Sequence, residues 1–229
     1  MNIDYTLYLC TDSGLMSCKT VEESVELAVL GGCSVVQLRE KTASSLELFQ
    51  LAKRVKHITD RYNVPLIIND RLDICMAVDA AGVHLGQSDL PCCEARRILG
   101  DKKIIGVSAA TPEEAAKAQA DGADYLGVGA VFPTSTKTNT RPVTPETIRK
   151  IRSAVTIPFV VIGGVDPQNI TQLYGLGING VAVISAVISQ PDITQAAKTM
   201  REAAEKLKAT PHNYCRSIAK SDFSSDCTS

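Results

Sequence analysis

Tryptophan is absent from this 229-residue chain, and aromatic residues make up only 4% of it. That leaves little for base-stacking platforms or for the aromatic belt of a membrane protein. Neither sign of charge prevails, with 24 Lys and Arg against 25 Asp and Glu, so there is no global basic field of the kind nucleic-acid binders use, and any anion site must be local. No apolar run is long enough to cross a bilayer, and Met1-Asn2-Ile3-Asp4-Tyr5 has neither the basic nor the apolar region of an export signal. The expectation is a cytoplasmic protein that engages neither nucleic acid nor membrane. Cysteine is plentiful, but metal-ligand spacing is missing. Cys10, Cys18, Cys33, Cys75, Cys92, Cys93, Cys215 and Cys227 form no CxxC pair and no Cys/His pattern suited to zinc. Most read as buried small hydrophobes in a reducing compartment.

What is present is a rhythm. At 45% hydrophobic, the chain is long enough for one large core and short for two ordinary domains. Short β-branched runs alternate with amphipathic segments throughout, the pattern of βα units and a parallel sheet. Strands are predicted at residues 5–10, 35–41, 65–68, 82–85, 103–107, 125–128, 159–162 and 180–184. Helices are predicted at 20–31, 44–62, 72–79, 91–99, 112–121, 145–154, 167–176 and 185–207, with Thr111 as an N-cap and Leu46, Phe49, Leu51, Ala52 and Val55 as the inward stripe of the second. Eight such units in this length fit a single (β/α)8 TIM barrel better than an open doubly wound sheet. Residues 1–208 form the expected catalytic domain, and 209–229 a polar, serine-rich tail that is either disordered or a cap over one end of the barrel.

The second strand carries the strongest functional signal. Val35 and Val36 begin like a buried strand, and Gln37, Arg39 and Lys41 then recur at a period of two, which points all three one way on an extended backbone. An amide, a guanidinium and an ammonium gathered at a strand's C-terminal end read as a grip on a polyvalent anion, or else as a solvated edge with paired charges. The same register holds elsewhere. Asn69 and Asp70 follow the third strand, Asp89 the fourth, Ser108 the fifth, the Thr134-Ser135-Thr136-Lys137 loop the sixth, Gly163-Gly164 the seventh and Ser185 the eighth. Barrel enzymes assemble their sites from βα loops at that face.

Gly163-Gly164 and Ile184-Ser185 lie where barrels often hold one phosphate on backbone N–H groups, although a glycine pair also serves a plain tight turn. Asp70 and Asp89, with Asn69 and Gln87 nearby, are hard oxygen donors suited to Mg²⁺ shared with a substrate phosphate; Asp70 before Leu72 would equally suit a helix N-cap. Mg²⁺ together with Arg39, Lys41 and Lys137 exceeds what a monophosphate needs and suits a departing diphosphate. No carboxylate pair or nucleophile with an adjacent base stands out, so acid–base chemistry is poorly supported. His84 inside the fourth strand could contact a phosphate but reads first as a hydrogen-bonded core histidine, and Cys92-Cys93 as packing.

Taken in order, the segments Gln37-Leu38-Arg39-Glu40-Lys41, Asn69-Asp70, Gly82-Val83-His84-Leu85-Gly86-Gln87-Ser88-Asp89, Gly106-Val107-Ser108, Pro133-Thr134-Ser135-Thr136-Lys137, Ile162-Gly163-Gly164-Val165 and Ile184-Ser185-Ala186 resemble the thiamine phosphate synthase family over about residues 5 to 205. The resemblance implies a barrel that joins 4-amino-5-hydroxymethyl-2-methylpyrimidine diphosphate to 4-methyl-5-(2-phosphoethyl)thiazole, with release of diphosphate. It implies that Gln37, Leu38, Arg39, Glu40, Lys41, Asn69, Ser108 and Lys137 hold the pyrimidine diphosphate. Of these, Arg39, Lys41, Ser108 and Lys137 would be the catalytic set. Asp70 and Asp89 would hold Mg²⁺, and Thr134, Ser135, Thr136, Gly164, Ile184 and Ser185 the thiazole phosphate. The implied chemistry is dissociative: diphosphate leaves the pyrimidine methylene carbon, and the thiazole nitrogen captures the cation. Residues 138–142 are expected to act as a lid that excludes water.

Two rivals remain at this stage. A thiazole tautomerase-like barrel would not need the Arg39, Lys41 and Lys137 cluster or the aspartate pair, and a non-catalytic thiamine phosphate binding protein would not need a complete metal site. The sequence leaves open whether further copies of the chain associate.

Overall fold

A strand covered on both faces reads as a near-continuous apolar run rather than an alternation. β1 (Leu7–Cys10), β2 (Val35–Leu38), β4 (Gly82–Leu85) and β8 (Gly180–Val183) are buried at every position, and β3 (Leu66–Asn69), β5 (Ile104–Ala109), β6 (Tyr125–Gly129) and β7 (Phe159–Ile162) at all but one. In this computed structural model, which describes residues 3–134 and 141–210, the eight strands pair in parallel and in chain order, and β8 returns to β1 to close the barrel. The TIM-barrel expectation is met.

Strand parity divides the core into two layers. Tyr8, Cys10, Val35, Ile67, Ile104, Tyr125, Val160 and Ala182 fill the barrel. Leu7, Leu9, Val36, Leu38, Ile68 and their counterparts pack outward against the helices. Helices α1 (Val21–Leu30), α2 (Ser45–Arg61), α5 (Pro112–Ala120) and α6 (Pro145–Ala154) each start where a Thr or Ser hydroxyl accepts a backbone N–H of the first turn, from Thr20, Ser44, Thr111 and Thr144 respectively. Ser44 and Glu47 complete a reciprocal capping box. α3 (Leu72–Ala77) and α4 (Cys92–Leu99) are the short helices between β3, β4 and β5.

Four expectations are corrected. The predicted helix at 167–176 is a single 3-10 turn, Ile170–Leu173; the polar turn 166–169, closed by Asp166 and Asn169 side chains on backbone N–H groups, takes up its first residues. The predicted helix at 185–207 is two helices, α7 (Ser185–Ile188) and α8 (Ile193–Ala209), divided at Pro191 with Asp192 capping the second. Leu46 points into solvent at 64% exposure, and the inward stripe of α2 runs instead through Leu48, Ala52, Val55 and Ile58. β2 ends at Leu38, so Lys41 stands in the following turn and not on the strand. Of the expected tail, residues 211–229 lie outside the described residues, as do 138–140 of the expected lid.

Candidate active site

The C-terminal mouth of the barrel opens into a cavity of about 910 Å³. Gln37, Arg39, Asn69, Ser108, Thr134, Gly164, Ile184 and Ser185 all line it, so eight of the expected residues share one space although they come from six different strand ends. Leu38 does not, because its parity sends the side chain into the layer between barrel and helices, where it is fully buried, and Glu40, Lys41, Asp70 and Asp89 are not among the lining residues either. Ser135, Thr136 and Lys137 lie outside the described residues.

On the β2–β4 side the mouth is charged. The β1–α1 loop clasps the end of β2: Thr11 Oγ1 accepts the Arg39 backbone N–H at 2.9 Å, and Asp12 pairs with the Arg39 guanidinium at 3.2 Å. Glu40 accepts the Ser13 hydroxyl at 2.7 Å, while its other carboxylate oxygen is buried without a hydrogen-bond partner among the described residues. Lys41, more than half exposed, reaches Asp70 at 3.5 Å. These three loop residues, Thr11, Asp12 and Ser13, carried no pattern that sequence reasoning could use; only the β1–β2 pairing brings them to Arg39.

Asp70 is not the cap of α3, whose first turn has no side-chain cap. It sits at φ 62 and uses its backbone N–H on the His84 carbonyl at 2.9 Å, which turns the side chain toward Asp89. Burial, and then the adjoining Asp89 carboxylate, push the Asp70 carboxyl above the ordinary aspartate range, with Lys41 opposing. Asp89 is fixed by the Gly86 N–H at 2.7 Å. Two carboxylates set together at a cost to one of them are a place that favours a dication. Among the described residues no group of three or more His, Cys, Asp or Glu side chains could hold a metal. Gln87, expected among the oxygen donors, instead donates its amide to the Ser108 carbonyl at 2.6 Å and braces the end of β5.

The floor is polar. His84, hydrogen-bonded as expected, contacts Tyr125 Oη through Nδ1 and Ser108 Oγ through Nε2, each at 3.0 Å, and it also lines the cavity. Tyr8 and Tyr125 complete this floor and were missed, since a tyrosine inside an apolar strand gives no sequence signal of its own. Gly106 was a usable hint: on β5 it lies between His84 and Tyr125, and a Cβ there would stand 2.1 Å from the Tyr125 ring. On the β6–β8 side, backbone dominates. Gly163 and Gly164 hold φ 102 and 64, the β6 loop is tied to them by Phe132 N–H on the Gly163 carbonyl at 3.0 Å, and Asn169 holds the Gly164 carbonyl at 2.8 Å.

Fold and mouth together define a (β/α)8-barrel protein with a cationic, carboxylate-bearing rim on one side of its cavity and a glycine-rich backbone cradle on the other. Comparison with known proteins is more specific. The family described as "Thiamine monophosphate synthase" matches residues 7–187, and the chain belongs to it. The thiamine-phosphate synthase of Ruminiclostridium cellulolyticum is 60% identical over 200 residues, 87% of this chain and 95% of that protein. That of Clostridium beijerinckii is 52% identical over 205 residues, 90% of this chain and 98% of the relative. Among solved structures, thiamine phosphate pyrophosphorylase from Pyrococcus furiosus superposes with a TM-score of 0.82 at 39% identity, covering 89% of this chain and 97% of that one. A geranylgeranylglyceryl phosphate synthase from Thermoplasma acidophilum, at 15% identity and a TM-score of 0.67, shares the fold alone.

Proposed function

We propose that the chain is a thiamine-phosphate synthase, a transferase that condenses the aminopyrimidine diphosphate with the thiazole phosphate and releases diphosphate. The observation that carries the reading is the two-sided cavity: Gln37, Arg39, Asn69 and Ser108 on one flank and Thr134, Gly164, Ile184 and Ser185 on the other open into the same space. Two substrates bound to opposite flanks would meet over the floor, which turns a bimolecular encounter into a positioned one. The catalytic unit is residues 1–208, with 209–229 as a tail, and the cytoplasm is the proposed setting. The six described cysteines are all free thiols, which suits a reducing compartment. Among the described residues no helix is long and apolar enough to cross a membrane.

Arg39, held by Asp12, and Lys41 are assigned to the diphosphate as charge accumulates on it, and so is Lys137, which lies outside the described residues. Asp70 and Asp89 would hold Mg²⁺, which when bound supplies further positive charge to the leaving diphosphate. Glu40, on the same turn, offers its unpartnered oxygen to a donor arriving with the substrate. Gln37 and Ser108 orient the pyrimidine ring from the floor. The Gly163-Gly164 and Ile184-Ser185 backbones hold the thiazole phosphate, so that the ring nitrogen faces the methylene carbon as the diphosphate departs. The dissociative route requires no general base.

The test is diphosphate release with both substrates and Mg²⁺, compared with Lys137→Ala and Asp89→Ala. Release that needs both substrates and falls at least about 100-fold in each variant supports the assignment. Release that is absent in the native protein, or untouched by either substitution, removes it.

A further inference from the structure

Below the cavity, five side chains from five strands form one hydrogen-bonded row. Gln37 Nε2 donates to Tyr8 Oη at 2.9 Å, the Tyr8 and Tyr125 hydroxyls meet at 2.7 Å, Tyr125 Oη is 3.0 Å from His84 Nδ1, and His84 Nε2 is 3.0 Å from Ser108 Oγ. Each hydroxyl has one proton to give, and counting protons decides the direction. Tyr8 already accepts from Gln37. Were it also to accept from Tyr125, its own buried O–H would have no acceptor among the described residues, and an orphaned donor bears its full desolvation cost. Tyr8 therefore donates to Tyr125, and Tyr125 to His84 Nδ1, which leaves the imidazole proton on Nε2 to be donated to Ser108. The Ser108 proton is then directed to the cavity, and the Gln37 amide, whose nitrogen is turned to Tyr8 by one of its two N–H bonds, presents its carbonyl oxygen there.

The floor thus shows an acceptor at Gln37 and a donor at Ser108. A 4-aminopyrimidine presents the complement, an exocyclic N–H donor beside a ring-nitrogen acceptor; a 4-oxopyrimidine presents the reverse, a carbonyl acceptor beside a ring N–H. We propose that Tyr8, Tyr125 and His84 are positioning residues of a one-way hydrogen-bond relay that fixes Gln37 as acceptor and Ser108 as donor, and so selects the amino over the oxo pyrimidine. The inference rests on the proposed substrate only in that last clause. Two further observations agree with it. Burial pushes both phenols well above the ordinary tyrosine range, so their protons are present at any working pH. The close approach of Tyr125 to Gly106 leaves that ring no room on this side to swing out of the row.

Two measurements test it on the full chain. The first is a two-dimensional ¹H–¹⁵N correlation of the imidazole nitrogens in the free protein at neutral pH. His84 protonated on Nε2 alone, turning to a tautomer mixture in Tyr125→Phe, is the expected result. A native His84 protonated on Nδ1, or on both nitrogens, overturns the relay whatever the substrate is. The second is the ratio of kcat/KM for the 4-amino and 4-oxo pyrimidine diphosphates, in which the intrinsic reactivity of each compound cancels between native and variant. Tyr125→Phe, or Tyr8→Phe should the first variant fail to fold, lowers that ratio at least tenfold and leaves KM for the thiazole phosphate unchanged. Equal loss with both pyrimidines means packing alone and overturns the selection. If the native protein uses neither pyrimidine, the proposed function fails, while the nitrogen spectra still decide the relay.

Discussion

Replacing Gly164 with valine probes the backbone cradle most directly. The residue holds φ 64, and a Cβ built on it lies 2.5 Å from the Pro133 carbonyl oxygen and 2.9 Å from Phe132 Cβ. The left-handed backbone alone costs a side-chain-bearing residue about 1–2 kcal/mol. Forcing a branched group against fixed backbone adds about 1–3 kcal/mol unless the neighbour yields. Part of that is relieved by moving the β6 loop, so a net destabilisation of about 2–4 kcal/mol is expected, or a melting temperature lower by about 4–16 °C for a chain of this size. The movement has a functional consequence. Pushing Pro133 loosens the Phe132 N–H bond to Gly163 and carries Thr134, the next residue, away from the cavity. The substitution acts through the loop wall rather than by touching the ligand first, and KM for the thiazole phosphate should rise about tenfold, the equivalent of about 1.4 kcal/mol. KM for the pyrimidine diphosphate, which is assigned to the opposite flank, should change far less. Steady-state kinetics with each substrate varied in turn, alongside thermal melts, give both readings. A lowered melting temperature with an unchanged thiazole phosphate KM would refute the placement of that phosphate on Gly164.

Other perturbations separate the remaining parts of the mouth. Asp12→Ala releases the Arg39 guanidinium from its 3.2 Å partner and should lower kcat/KM for the pyrimidine diphosphate about 5–30-fold, the worth of about 1–2 kcal/mol for a charge-assisted contact; Arg39→Ala should cost more turnover than thiazole phosphate affinity, and equal losses would put Arg39 at the wrong phosphate. Mg²⁺ at about 100 times its dissociation constant should stabilise the native fold by about 2.7 kcal/mol, a rise of about 5–11 °C in melting temperature, and Asp89→Asn should abolish it; the same rise in both proteins would place the ion elsewhere. At the opposite end of the barrel, Asp4 is partly buried, but hydrogen bonds from Thr6 and Arg201 outweigh that and hold its carboxyl far below the ordinary range. A carboxylate lowered in the fold stabilises above its unfolded pKa and loses that contribution as pH falls through the folded one. Asp4→Asn should therefore cost about 1 kcal/mol at pH 7, with the gap between native and variant melting curves closing below about pH 4, where the unfolded aspartate begins to protonate.

How much of this was legible in the residues depends on what kind of interaction places them. Strand period and helix caps are local, and β4, α6 and β7 begin and end where the pattern put them. The gathering of Gln37, Arg39, Asn69, Ser108, Thr134, Gly164, Ile184 and Ser185 was legible too, because in a barrel the end of every strand lies on one rim, so position within the strand is already position in space. Leu38 and Lys41 mark where that reasoning stops. The motif that contains them is continuous in sequence, but parity sends Leu38 to the helices, and the end of β2 releases Lys41 toward Asp70.

The floor was illegible for a different reason. Tyr8 and Tyr125 are separated by 117 residues and meet only because β1 and β6 face each other across the barrel. Nothing local distinguishes a tyrosine that ends in a hydrogen bond from a phenylalanine that fills the same volume. What the sequence did contain was the empty position between its neighbours: Gly106 is the one inward site of β5 without a side chain, lying between Ile104 and Ser108. A closed eight-stranded barrel has just enough interior for side chains to fill it, so a missing side chain implies a large one from the next strand leaning into the space, and the next strand begins with Tyr125. Read that way, inward glycines in barrel strands point to polar rings buried beside them, and Gly106→Ala should disturb the floor as a direct substitution of Tyr125 does.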